Sequence, residues 1–307
     1  TPGFALQDGA TKTAATSLLS ELGAQNMDDL QKASTQDLID HMNNVMNVCY
    51  VYGPSLDGVL LPKDPFTEYK DGKGKDVKVL VGYTEEECRY LIQIFKVGDE
   101  VGTERTFHPW IQSRYEHLMN YMGNDEESKA IANDYIALCK NAGETDDFAI
   151  ESLMSEISFG MGARNIADLQ CENNDTYFYY FAYPSYGPLK ASAHGAEMLI
   201  VFNEIIPKEN KVGDLDSLVK LTAEVWESFA KTGVPTINGE PVAKYDLEKQ
   251  NVIVFDKDGK VFSQENYLTE RHNTLKPLFK YENYTLTDNF FCSTEEWEKY
   301  IDTAGNI

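Results

Sequence analysis

Apolar positions recur along this chain at two different spacings. Over residues 7–22 and 28–46 they fall every three or four residues, which lines one face of a helix, and the first stretch stops at Gly23. Ser34 is placed to cap the second half of the second stretch. Residues 51–65 change to turns and short extended pieces, and 69–76 is charged and glycine-rich, an expected exposed loop. The run VKVLVGY at 77–83 is different in kind. It is continuous and β-branched, interrupted only by Lys78, as expected of a strand covered on both faces in a parallel sheet. It leads straight into TEEECRYLIQIF, a predicted helix with Glu85, Glu86 and Glu87 in its first turn.

The middle of the chain is predicted helical over 107–122, 124–140 and 146–169. A second strand follows at 176–183, rich in aromatic residues and apolar on both faces. Residues 184–192 form a loop of Pro, Gly and Ser, followed by His194, Gly195 and an apolar run at 196–202 that reads as a buried helix. A further amphipathic helix covers 215–231, closed by Thr232 and Gly233 with Pro235 beyond. Residues 251–255 and 260–263 flank Asp256-Lys257-Asp258-Gly259, a small hairpin with an Asp-Gly turn. The tail beyond Glu265 is polar and aromatic, with one short helix around 294–300. Strand, tight turn and helix in succession is the α/β unit, and both long strands are expected inside a sheet.

Composition narrows the partners. With 27 Lys and Arg against 50 Asp and Glu, the formal charge is -23, a field that repels nucleic acid and anionic membrane surfaces. No apolar run approaches the ~20 residues of a spanning helix. Five cysteines, an odd number without metal-ligand spacing, indicate neither a disulfide scaffold nor a zinc site. The chain begins at Thr1 without methionine and without a charged-then-apolar leader, so the expectation is either that something has been removed or that the chain begins within a larger protein.

Two residues carry candidate chemistry. Thr84-x-x-Glu87 matches a capping box, in which Glu87 reaches back to the Thr84 amide and has a structural role only. Alternatively, Glu87 orients an imidazole, fixing its tautomer and stabilising the imidazolium formed in catalysis. His194 is either a helix-start residue in a polar corner or a catalytic base on a strand-end loop. Acid before histidine suits the order Ser, acid, His of an α/β hydrolase, yet the sequence has no Gly-x-Ser-x-Gly elbow. Ser158 in SFGMG and Ser185 in YPSYG have glycine on one side only, and Cys88 falls inside the helix after Glu87 as an expected core residue.

At these motifs the chain resembles the C-terminal part of a type-B carboxylesterase, the family of bacterial para-nitrobenzyl esterases and cholinesterases. GPSLDGVLLPKDP is similar to the family's Asp-Gly-x-x-Leu-Pro segment. VLVGYTEEECRYL resembles its Gly-Thr-x-x-Asp-Glu-Gly stretch, and FYYFAYPSYGPLKASAHGAEMLIVF its Tyr-x-Tyr-x-Phe strand and His-Gly-Ala-Glu motif. VWESFAKTGVP matches a further structural signature of the family. The resemblance implies an α/β-hydrolase fold with a mostly parallel central sheet, flanking helices and a large helical insertion, residues 1–307 forming part of one domain. It places the triad acid on Glu87, with Glu86 as the one-residue alternative, and the triad histidine on His194, 107 residues apart. It implies hydrolysis of a small-molecule carboxylic ester by a serine whose elbow lies upstream, on a polypeptide outside residues 1–307, with no metal or organic cofactor. On that expectation residues 1–307 alone are inactive. Two other readings are a family member serving as a non-catalytic binding module, and an acidic helical ligand-binding protein in which Glu87 is only a cap.

Overall fold

The computed structural model describes residues 15–16, 18–46, 56–89, 125–185, 190–202, 213 and 215–278. The helices expected at 107–122 and 294–300, most of that at 7–22 and the second half of that at 84–95 lie outside the described residues. The chain divides into two compact units, one of residues 2–68 and 280–307, the other of residues 1 and 69–279.

In the first unit the helix expected over 28–46 is two helices, α1 (Met27–Leu30) and α2 (Thr35–Met46). Ser34 causes the break. Its hydroxyl accepts the Asp37 amide at 3.1 Å while the Asp37 carboxylate accepts the Ser34 amide, a reciprocal cap that starts a new helix instead of continuing the old one. Helix α3 (Pro65–Lys70) runs into the segment expected as an exposed loop, so only its remainder, around Gly72 and Gly74 at positive φ, is turn.

The second unit holds the sheet. Its elements are β1 (Val79–Thr84), α4 (Glu126–Asn141), α5 (Asp146–Ser155), a π turn (Glu156–Gly160), α6 (Met161–Cys171), β2 (Thr176–Phe181), α7 (Ala196–Val201), α8 (Leu215–Thr232), β3 (Thr236–Ile237), β4 (Glu240–Pro241), β5 (Val252–Phe255), β6 (Val261–Gln264) and α9 (Thr269–Leu275). The main sheet has the order β1-β2-β5-β6, parallel except for the antiparallel β6. The small hairpin expected from 251–263 is therefore part of it. β5 is buried along its whole length and pairs with β2, because its four residues are all β-branched or aromatic.

Alternation along the central strands builds two cores. Tyr179 and Phe181 of β2, with Ile253 and Phe255 of β5, face α7 and α8; Trp226 of α8 lies 5.1 Å from the Tyr179 ring and 5.5 Å from that of Phe255. Phe178 and Tyr180, with Val252 and Val254, face the other way onto Ala163 and Ala167 of α6. The period of two on β2 and β5 thus covers both faces with helices. β1 differs from the expectation. Val79 to Gly82 are only half-buried, Val77 is 55% exposed, and β1 stands at the sheet edge among the described residues. The apolar run at 196–202 also differs: Ala196 and Ile200 are buried, whereas Met198 and Phe202 are exposed. Three further elements escaped the pattern reading. β3 and β4 turn on Asn238 and Gly239, an Asn-Gly signal present in the text, and α9 has a polar sequence without a clear apolar face.

Gly82 sets how closely β1 lies on β2. A β-carbon there would stand inside contact distance of the Tyr179 carbonyl oxygen and ring, and a backbone oxygen in a ladder cannot swing aside. Gly82→Ala is expected to cost about 1–3 kcal/mol, read as a lower urea midpoint with unchanged slope. An unchanged midpoint would show that β1 is free to shift.

Candidate active site

Thr84 and Phe181 are register partners, so β1 and β2 end together at the same edge of the sheet. The turn after β1 and the loop after β2 leave from that edge, where open α/β sheets place their sites. Backbone and side-chain bonds then lace the two segments together. The Phe181 carbonyl accepts the Glu85 amide at 2.9 Å and the Ser192 hydroxyl at 2.6 Å. Glu86 donates its amide to the Ser192 carbonyl at 3.0 Å, and its carboxylate accepts the Ser192 amide at 2.9 Å. The His194 amide donates to the Glu87 carbonyl at 3.3 Å. These bonds bring together residues that are 107 positions apart.

The three successive acids have three different fates. Glu85 is buried against the sheet, bonded to the Tyr180 hydroxyl at 3.1 Å and paired with Lys257 at 3.0 Å. Burial pushes its carboxyl up to about 7, with the Lys257 charge opposing. Glu86 is held by Ser192 and by the Arg89 guanidinium at 3.0 Å. Glu87, 5% exposed, accepts the Thr84 amide on one oxygen at 2.7 Å and meets Nδ1 of His194 on the other at 2.6 Å. The geometry thus pairs His194 with Glu87 and not with Glu86. The capping box is half formed: Glu87 reaches back to the Thr84 amide, but the buried Thr84 hydroxyl has no hydrogen-bond partner among the described residues.

The His194 side chain is 47% exposed. Its hydrogen bond to Glu87 raises the imidazole above its ordinary value, while burial works in the opposite direction. With Nδ1–H directed at a carboxylate, the neutral ring carries its basic lone pair on Nε2. Such a pair can take a proton from a hydroxyl and hold the resulting imidazolium. Gly195, at φ 77°, turns the chain from His194 into α7. Two residues later Glu197 bonds the Tyr179 hydroxyl at 3.1 Å; burial raises its carboxyl, and the nearby negative Glu87 adds to that.

The serines weighed from the sequence have other engagements. Ser185 donates to the Ala196 carbonyl at 2.7 Å, and Ser158 is buried with its hydroxyl 3.8 Å from the Cys88 sulfur. Burial also pushes the Cys88 thiol well above its ordinary value. Among the described residues no cluster of three or more His, Cys, Asp or Glu is placed to hold a metal, and no helix is long and apolar enough to cross a membrane.

A parallel strand pair with an acid turn and a histidine loop on its carboxyl edge is the arrangement of the α/β-hydrolase fold. The chain belongs to the carboxylesterase family, whose sequence profile matches residues 4–274. It is similar to the para-nitrobenzyl esterase of Bacillus subtilis, 23% identical over 246 residues that make up 78% of this chain and 46% of that protein. It is also similar to the liver carboxylesterase of Sus scrofa, 27% identical over 210 residues, 64% of this chain and 35% of that one. The crystal structure of a Geobacillus stearothermophilus carboxylesterase superposes with a TM-score of 0.67 at 19% identity, covering 88% of this chain and 55% of the other. The chain therefore spans about half the length, or less, of the relatives it matches.

The sequence reading missed the support beneath the acid turn. Arg89 clasps the fully buried Glu151 of α5 through Nε at 3.0 Å and Nη2 at 2.6 Å while also holding Glu86. The spacing of Glu86 and Arg89 was visible, but Glu151 lies 62 residues away and carries no local signal. Burial drives the Glu151 carboxyl upward and the Arg89 charge draws it back. Arg89→Met is expected to destabilise the protein by about 3–5 kcal/mol, because it strands a buried carboxylate. The double variant Arg89→Met/Glu151→Met should recover most of that loss in a chemical melt. A double variant no better than the single would mean that packing, not charge, is what Arg89 supplies.

Proposed function

We propose that Glu87 and His194 are the acid and histidine of a serine esterase triad, and that the protein hydrolyses small-molecule carboxylic esters. The observation that carries this reading is the 2.6 Å contact of a buried carboxylate with Nδ1 of a half-exposed imidazole, on the loops of a carboxylesterase-family chain. The nucleophilic serine and the oxyanion donors belong to an upstream polypeptide outside residues 1–307, which supplies the elbow that this sequence lacks. In the first step the serine oxygen attacks the ester carbonyl and His194 Nε2 takes its proton. The imidazolium, held by Glu87, then protonates the departing alcohol. In the second step His194 takes a proton from water as it attacks the acyl-enzyme, and the imidazolium returns that proton to the serine oxygen as the acid departs. Glu87 holds the ring and balances the charge of the imidazolium.

The pH dependence follows from the sign of the His194 shift. His194 serves as a base only when neutral, and Glu87 raises the pH at which the ring loses its proton above the ordinary 6.5. In the complete protein the acidic limb of kcat/KM is expected above pH 6.5. Glu87→Gln should move that limb downward and lower kcat by about 10³–10⁴-fold. Retention of kcat within tenfold in Glu87→Gln, with the limb unmoved, would remove Glu87 from the triad.

A further inference from the structure

Residues 146–171 form one continuous helical run, in which α5 passes through the π turn into α6. Helical angles persist across both junctions, at Ser155 (φ −63°, ψ −42°) and at Met161 (φ −60°, ψ −43°). The run is enclosed almost completely: from 149 to 168 every residue but Phe159 is buried. A helix with one position left partly open would ordinarily place a polar side chain there. This one places a large aromatic ring, and that ring lies on the imidazole of His194, with centroids 4.7 Å apart and planes inclined at 35°.

The π turn accounts for the placement. One residue added to a helix turns everything beyond it by about 100°. The widened turn lets Phe159 face the histidine loop while α6 keeps Ala163 and Ala167 on the sheet. Gly160 makes room for it, since a β-carbon there would collide with the Glu156 carboxylate and the Tyr83 ring. The Tyr83 hydroxyl in turn donates to the Glu156 carboxylate, pinning the π turn to the end of β1. The same strand end therefore anchors both the acid turn and the helix segment that carries Phe159.

The Glu87 hydrogen bond at Nδ1 fixes the direction of that bond, and the Phe159 ring lies against the plane of the imidazole. His194 is half-exposed. We propose that Phe159 is a positioning residue for His194: its ring fixes the imidazole plane beside Glu87 and lays an electron-rich face against the imidazolium formed in each proton transfer. The inference rests on the triad role proposed above for His194. An aromatic face held against a cation at an incompletely buried position favours the charged form.

The test uses the complete protein and the variants Phe159→Leu, which keeps an apolar side chain but removes the aromatic face, and Phe159→Tyr, which restores that face. Kinetics are read on a neutral para-nitrophenyl ester, and ¹³C resonances of the labelled histidine rings are titrated, with the His194 signal assigned by its loss in His194→Gln. Phe159→Leu is expected to lower kcat about tenfold with KM changed less than about twofold, since only the orientation of the base is disturbed. The acidic limb and the His194 titration midpoint should both fall by about half a pH unit, and Phe159→Tyr should return all three towards the parent. A general loss of stability would move neither the limb nor the midpoint. A leucine variant with kcat within twofold and an unmoved midpoint overturns the proposal, as does a tyrosine variant no better than leucine. If the leucine variant does not fold, Phe159→Met takes its place with the same expectations. If the parent protein shows no esterase activity, the triad reading fails on that result alone, and the histidine titration still decides the contact with Phe159.

Discussion

A carboxylate withdrawn from water must be matched by donors, or it gives up its charge. Glu87 meets that demand with the Thr84 amide on one oxygen and the His194 ring on the other. Both donors depend on the alignment of β1 with β2. Thr84 presents its amide at the end of β1, while Phe181, its register partner, anchors Glu85 and Ser192 and so sets the height of the histidine loop. A shift of one residue between the strands would separate all of these at once. The aromatic content of β2 opposes such a shift, because Tyr179 and Phe181 fit against α8 on one face and Phe178 and Tyr180 against α6 on the other.

The acid turn also shows how three identical side chains in sequence become chemically distinct. Glu85 is desolvated against Tyr180 and Lys257, Glu86 is neutralised by Arg89 and splints the histidine loop, and Glu87 is turned to the imidazole. Backbone direction decides among them. The chain leaves β1 in a tight turn, so successive side chains point to the sheet face, the loop and the site. Arg89 and Glu151 then tie this turn to α5, whose continuation brings Phe159 onto His194. Glu87, His194 and Phe159 are thus held by one connected set of contacts.

Much of this was legible in the residues. The continuous runs gave β1 and β2, and helical spacing gave α4, α5, α6 and α8 nearly to their ends. The strand-turn-helix text around Glu87 and the strand-loop-His text around His194 marked the two loops that meet. Features that depend on what covers an element were not legible. β5 reads locally as half of a hairpin, and only its pairing with β2 makes it a core strand. The apolar text at 196–202 suggested full burial, although Met198 and Phe202 are exposed. The π turn left no trace in the periodicity, because residues on either side of it are buried all round. Thr84 matched its motif, yet only the Glu87 half of the box formed.

The central claim is that Glu87 and His194 serve a serine carried by chain outside residues 1–307. Labelling the complete protein with a serine-directed fluorophosphonate and mapping the modified peptide by mass spectrometry tests it most directly. The account predicts a single modified serine, in a Gly-x-Ser-x-Gly peptide outside residues 1–307, with labelling lost in His194→Gln. A modified serine within residues 1–307, or labelling that survives removal of the His194 imidazole, would contradict it.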